Sequence, residues 1–267
     1  MMALLKKLVR RYAPPGLKHR LRKWNSWRLV RDFDESRWPP AAGVRRLIRS
    51  GDRVVDAGAN IGYVTALFSR WVGPTGRVYS MEPEPGTFDV LAANVRRLNL
   101  GNVDLFPCAV SSREGEGVLA IPEYADGGEN LYEARVLDQA EAGLSAGATR
   151  AKAEGGVRTV KIQLATLDRL LVRRADALAL IKLDVEGCEL EAVQGAAELV
   201  RRFHPVFLIE VSGNPWEPGS RAAALLDLMK AWGYRPYRLE AGEWRLIERG
   251  AASLDVLFWP SNSSPPG

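Results

Sequence analysis

Five carboxylates and one lysine in this 267-residue chain sit at the ends of apolar stretches. Val54 and Val55 run into Asp56 and the turn Ala57-Gly58-Ala59-Asn60-Ile61-Gly62, and the stretch opened by Arg77 ends at Glu82. Leu178 to Leu183 carries Lys182 and runs on to Asp184 and Glu186, and Pro205 to Ile209 ends at Glu210. A carboxylate in such a place can bond ribose hydroxyls or take the proton of a reacting hydroxyl. Glycines at 58 and 62 let the backbone turn sharply and approach a ligand, and a helix starting there presents free N–H groups. This is the pattern of a nucleotide-type site. A pyrophosphate fits poorly, because the dinucleotide fingerprint places its second glycine where this chain has Asn60.

Strands that hand over to helices must hold these side chains. The β-branched run before Asp56 reads as a strand, and Tyr63 to Trp71 as an apolar helix after the turn. Leu178 to Leu183 is apolar enough for a central buried strand. Side chains alternate along a strand, so Lys182, Asp184 and Glu186 start on one side as far as the strand persists. A lysine and a carboxylate buried there cost several kcal/mol unless they pair or serve a ligand. An ion pair that only holds the strand end is the alternative reading. The two histidines lie elsewhere, His19 in a basic extension and His204 at the amino end of a strand, which leaves carboxylates as the candidate base. Asp184, Glu186 and Glu210 could together hold Mg²⁺. A metal-free site is expected instead, since Lys182 uses one of the three.

The chain length suits one α/β domain with a modest extension. Its composition, 46% hydrophobic and 26% charged, is that of a globular protein and not of a disordered or spanning one. No apolar run approaches the ~20 residues of a membrane span, and no secretory leader is visible, so a cytoplasmic chain is expected. Cys108 and Cys188 have no Cys or His at metal-ligand spacing and read as reduced core thiols. The net charge of +5 is uneven: Lys6, Lys7, Arg10, Arg11, Lys18, Arg20, Arg22, Lys23, Arg28 and Arg31 precede the first acid, Asp32, and without these ten the remainder is net −5. No specific nucleic-acid partner follows from the overall charge.

Residues 1–50 read as a basic amphipathic extension. Leu4, Leu5, Leu8, Val9 and Tyr12 recur at helical spacing, and Pro14-Pro15-Gly16 is expected to stop the pattern. Residues 1–31 could meet an anionic membrane at its inner face, or the apolar stripe could pack on the domain; both readings stand. Trp24, Trp27 and Trp38 are expected in a core or interface. From residue 51 strands and helices alternate, with a helix over Pro85 to Leu98 and a third strand over Asn102 to Val110. Residues 115–157 form an insertion read as a substrate loop. Val157 to Leu164 is an added strand, Thr166 caps a helix through Arg174, and Glu189 opens a helix ending at Gly195. Arg221 to Trp232 is a helix, Tyr234 to Trp259 holds three strands closing an antiparallel hairpin, and residues 261–267 form a disordered tail.

Together, D-A-G-A-N-I-G at 56–62, E-P at 82–83, A-V-S at 109–111, T-L-D at 166–168, K-L-D-V-E-G-C-E at 182–189, Q-G-A at 194–196 and Glu210 resemble the FkbM family of S-adenosylmethionine (SAM)-dependent methyltransferases. The resemblance covers roughly residues 51–212, and Cys188 replaces the small residue usual in similar sequences. It implies a Rossmann-like, doubly wound, mostly parallel seven-stranded sheet over residues 51–260. It also implies SAM held by Asp56, Gly58, Asn60, Gly62, Glu82, Ala109 and Asp184, and O-methylation of a sugar, glycan or polyketide-like small molecule. Ligands in open α/β sheets bind beyond the strand ends where strand order reverses, here between the strands ending at Asp56 and Asp184. Asp184 is then the best single candidate for the base, with Glu186, Lys182 and Glu210 as further catalytic candidates. Two other classes remain open at this point: a NAD-dependent oxidoreductase, against which Asn60 argues, and a non-catalytic relative tethered to membrane or RNA by its basic arm. Oligomeric state is not legible.

Overall fold

A computed structural model describes residues 15–123, 134–137, 156–248 and 255–263. The strands are β1 Arg53–Ala57, β2 Arg77–Met81, β3 Val103–Phe106, β4 Cys108–Val110, β5 Gly115–Glu123, β6 Arg135–Leu137, β7 Gly156–Ala165, β8 Leu180–Leu183, β9 Val206–Glu210, β10 Tyr234–Glu240, β11 Glu243–Leu246 and β12 Asp255–Pro260. The expected mostly parallel sheet is present, ordered β11-β10-β12-β9-β8-β1-β2-β3. Its members from β3 to β9 run parallel, and β12, β10 and β11 close it antiparallel. It has eight strands where seven were expected, because β11 folds back on β10 as an outer hairpin strand. Sequence order reverses between β1 and β8, so the carboxyl ends of those two strands face one another.

Alternation divides the core into two layers. Val55, Ala57, Ile181, Leu183 and Phe207 pack on one side with Ala192, Val193, Leu199, Leu225 and Met229 from three helices, Glu189–Gln194, Ala197–Phe203 and Arg221–Ala231. Val54, Val78, Leu180 and Leu208 pack on the other with Leu67, Phe68 and Trp71 from the helix Tyr63–Val72 and with Ala41 and Val44 from the helix Ala41–Arg45. Asp56, Ser80 and Lys182, two residues on from Val54, Val78 and Leu180, are the buried polar side chains of these strands.

The expected third strand divides at Pro107, which has no N–H to offer a ladder. β3 stays in the main sheet, and β4 enters a second sheet ordered β4-β7-β5-β6. There β5 and β7 pair antiparallel along their whole length, from Gly115 opposite Leu164 to Glu123 opposite Gly156. The rest of the expected substrate loop, 124–133 and 138–155, lies outside the described residues, as do residues 1–14 with their expected amphipathic helix. Thr166 does cap a helix, accepting from the Arg169 amide, but that helix spans Leu167–Leu171. Of the expected disordered tail, residues 261–263 form a turn and 264–267 lie outside the described residues.

The amino-terminal extension holds a helix the sequence reading does not include. Pro15 opens it, Pro15–Arg31, and the pattern expected to stop at Pro14-Pro15-Gly16 lies outside the described residues. A proline in the first turn loses no hydrogen bond and is already set at a helical φ. Trp38 packs on Phe68 and Trp71 as expected, whereas Trp24 is 52% exposed. Among the described residues no helix is long and apolar enough to cross a membrane.

The Pro15–Arg31 helix is tied to the glycine turn through Asn94 of the helix Pro85–Arg97. Ser26 Oγ donates to Asn94 Oδ1 (2.9 Å) and Asn94 Nδ2 donates to Ile61 O (2.8 Å), with both side chains buried. Asn94→Ala leaves a buried hydroxyl and a buried carbonyl without these partners. It is expected to lower stability by about 1–3 kcal/mol, measured by urea unfolding.

Candidate active site

β1 ends in a turn that three left-handed residues make possible: Gly58 at φ 76°, Asn60 at φ 50° and Gly62 at φ 100°. Glycine takes this region without cost and asparagine tolerates it. Gly58 and Ala59 amides donate to Met81 O, which fastens the turn to the end of β2. A Cβ at Gly58 would stand 1.8 Å from Asp184 O, and one at Gly62 would stand 2.8 Å from Leu91 Cδ1. From sequence alone both glycines suggest close approach of the backbone to a ligand. The structure gives each a protein neighbour, and at Gly58 that neighbour is the backbone of the opposite strand end.

Glu82 lies just past β2 at 8% exposure and closes one side of the turn. Its Oε2 accepts from the Asn60 amide (3.0 Å) and its Oε1 from the Glu84 amide (2.9 Å). Burial outweighs these donors and pushes its carboxyl up to about 7. Glu84 is buried next to it, caps the helix Pro85–Arg97 by accepting from the Thr87 amide, and receives Arg158 of β7 at 3.3 Å. That contact ties the second sheet to the cofactor-side strand end.

Parallel pairing of β1 with β8 sets Asp56 opposite Lys182. Asp56 is fully buried; its Oδ2 accepts from Thr65 Oγ1 at 2.6 Å, and its Oδ1 lies 3.3 Å from Lys182 Nζ without the alignment of a hydrogen bond. Lys182 Nζ also reaches Asp184 Oδ2 (3.1 Å) and Gly58 O (3.3 Å). Burial opposes its charge, but the Asp184 and Asp56 carboxylates hold the ammonium well above the ordinary lysine range. The cation thus joins both strand ends and the turn at once.

Beyond β8 the carboxylates diverge in their surroundings. Asp184 is half-buried, engaged by Lys182 and hydrogen-bonded to Glu210, whose carboxyl is pushed up to about 7 by burial and by the charges of Asp184 and Asp255. Glu186 stands at the cleft mouth with left-handed backbone, φ 51°. Although it reaches solvent, partial burial and the Asp184, Glu210 and Glu189 charges push it up to about 7. Among the described residues no group of three acidic, histidine or cysteine side chains is placed to hold a metal ion.

These parts surround a cleft of about 190 Å³. Of the residues expected there, Gly58, Asn60, Glu82, Ala109, Lys182, Asp184 and Glu186 line it, and Asp56, Gly62 and Glu210 do not. Several lining residues were missed. Tyr63 could have been found, as the first helical residue after the turn. Leu119 and Val136 come from β5 and β6 of the second sheet, inside the 115–157 segment read as a substrate loop, a reading that singles out no residue within it. Cys108 and Cys188, read as core thiols, both line the cleft, and burial pushes each up to about 11, which keeps them protonated.

A methyltransferase FkbM domain model matches residues 56–236. The chain is 28% identical over 213 residues to a protein named methyltransferase sdnD from Sordaria araneosa, covering 72% of this chain and 76% of that protein. It is 44% identical over 75 residues to a protein-L-isoaspartate O-methyltransferase of Anaeromyxobacter dehalogenans (strain 2CP-C), a match to 28% of this chain and 32% of that one. The solved structure of a methyltransferase FkbM from Methylobacillus flagellatus KT is 18% identical with a TM-score of 0.47, covering 79% of this chain and 44% of that one, so this chain spans less than half of that protein. With the family model matching from Asp56 at the end of β1 through the turn, β8 and the strand that ends at Glu210, the chain belongs to the FkbM family of SAM-dependent methyltransferases.

Proposed function

We propose that this chain methylates a hydroxyl oxygen of a sugar, glycan or polyketide-like acceptor, with Glu186 taking the hydroxyl proton. The observation that carries the reading is Glu186 itself. It lines the cleft, has no ion-pair partner among the described residues, and stands near 7, where a carboxylate serves best as a base at neutral pH. Asp184, the first choice from sequence, has its carboxylate spent on Lys182 and Glu210. Asp184 then holds the strand end in place.

The cleft residues fit SAM. Glu82 accepts one backbone amide on each oxygen and keeps lone pairs free on the cleft side for ribose hydroxyls. Met81, Cys108, Ala109 and Leu119 offer an apolar wall suited to an adenine ring, and Asp184 beyond β8 suits the ammonium of the amino-acid end. When bound, SAM supplies an electrophilic sulfonium methyl group. The turn and the β8 end fix where an acceptor oxygen must stand for in-line approach, and the cleft walls keep bulk water from that line.

Transfer of labelled methyl from SAM to a set of hydroxyl-bearing acceptors tests the reading. Product is expected only from acceptors with a free hydroxyl, and label on nitrogen or carbon would overturn it. Glu82 adds a test of cofactor placement. Its carboxyl is protonated below about 7, and ribose hydroxyls select the ionised form, so binding releases a proton. Affinity for SAM is therefore expected to tighten about tenfold from pH 6 to pH 8, a dependence that Glu82→Gln should lack. Titration calorimetry that finds the same pH profile in both proteins would refute the Glu82 contact.

A further inference from the structure

The Pro15–Arg31 helix packs with its polar side inward. A surface helix of a globular protein normally turns its apolar side to the core. Here the inner side makes polar contacts with the helix Pro85–Arg97: Arg22 donates to Thr87 Oγ1 (3.1 Å), Ser26 to Asn94 Oδ1 (2.9 Å), and Lys23 pairs with Asp89 (3.2 Å). Among the described residues, Val30 alone on that side is a buried apolar residue. The outer side carries Leu17 at 46% and Trp24 at 52% exposure, in line with exposed Arg20 and Arg28, and Leu29 at 52% lies on its flank. The Arg28 guanidinium lies 4.9 Å over the Trp24 ring. The inner hydrogen bonds fix this face to the domain, so it is a built surface.

We propose that this outer face docks the protein on an anionic lipid surface, with Leu17 and Trp24 entering the interface and Arg20 and Arg28 meeting the headgroups. Charge complementarity selects the occupant: the outer face carries exposed Arg20 and Arg28, and the helix Pro15–Arg31 contains no acidic residue to offset them. Aliphatic and indole side chains interleaved with arginine suit the boundary between headgroups and acyl chains. A second copy would set these arginines against one another, and a nucleic-acid backbone offers nothing to Leu17 or Leu29.

The test is co-sedimentation of the full chain with phosphatidylcholine vesicles, with and without phosphatidylglycerol. Wild type is expected to sediment with the anionic vesicles only, and less as salt rises. Leu17→Glu with Trp24→Glu should lower the partition coefficient by about tenfold or more while thermal unfolding and SAM affinity stay unchanged. If that double variant fails to fold, Arg20→Gln with Arg28→Gln carries the same expectation on two exposed side chains. Wild type sedimenting equally with both vesicle types, or with neither, overturns the proposal. So does a folded variant that sediments like wild type. Retention on RNA, or a dimer in solution, abolished by the same substitutions in place of vesicle binding would also overturn it.

Discussion

Lys182→Met is expected to destabilise the protein by about 3–5 kcal/mol, because it removes the cation from a carboxylate that has no access to water. Asp56 is fully buried, and after the substitution only the Thr65 hydroxyl faces it. Methionine fills much of the lysine volume, so the cost is that of an uncompensated charge and of a lost donor to Gly58 O, not of a cavity. The lysine is also held above its ordinary range, so its contribution is fully present below pH 10.5 and fades only as pH rises past that value. The lysine's own titration therefore adds nothing to the deficit near neutral pH. Urea unfolding reads it, and the double variant Asp56→Asn with Lys182→Met should recover most of the loss, since neither charge then remains. A single variant within about 1 kcal/mol of wild type would show that the buried pair does not hold the two strand ends together.

Glu186→Gln is expected to lower turnover by about 10²-fold or more while SAM binds within a few-fold of wild type, because the amide keeps the shape but cannot take a proton. The wild-type pH profile provides the second readout. With SAM saturating and the base standing near 7, kcat/KM for the acceptor should rise with pH up to that value and level off above it. The variant should show no such rise. Asp184→Asn makes the comparison informative. It removes one of the two carboxylates on Lys182 and the partner of Glu210, so it should disturb stability and cofactor affinity along with rate. If Glu186→Gln turns over a verified acceptor at near wild-type rate and Asp184→Asn alone loses the pH-dependent rise, Asp184 is the base.

The sequence by itself determined the elements that carry the site and the kinds of side chain at their ends. Val54 to Gly62 and Leu178 to Asp184 are read locally, because strand alternation, apolar runs and glycine turns are properties of adjacent residues. That Glu82 follows the second strand, and that the order of strands reverses between β1 and β8, came from the same local pattern together with the resemblance of its blocks to one family. What only the tertiary structure decided is which of these groups meet. Asp56 and Lys182 face each other because β1 and β8 pair in one register, and no local rule supplies a register between strands so distant in sequence. Gly58 is required by the Asp184 carbonyl on the other strand, a contact no turn motif encodes. The apolar wall from Leu119 and Val136 depends on a second sheet folding back over the cleft. Glu186 separates from Asp184 as a candidate base only because Lys182 and Glu210 engage one carboxylate and leave the other at the cleft mouth. The outward Leu17 and Trp24 follow the same logic, since the side of a helix that faces its neighbour is set by the hydrogen bonds that neighbour can complete.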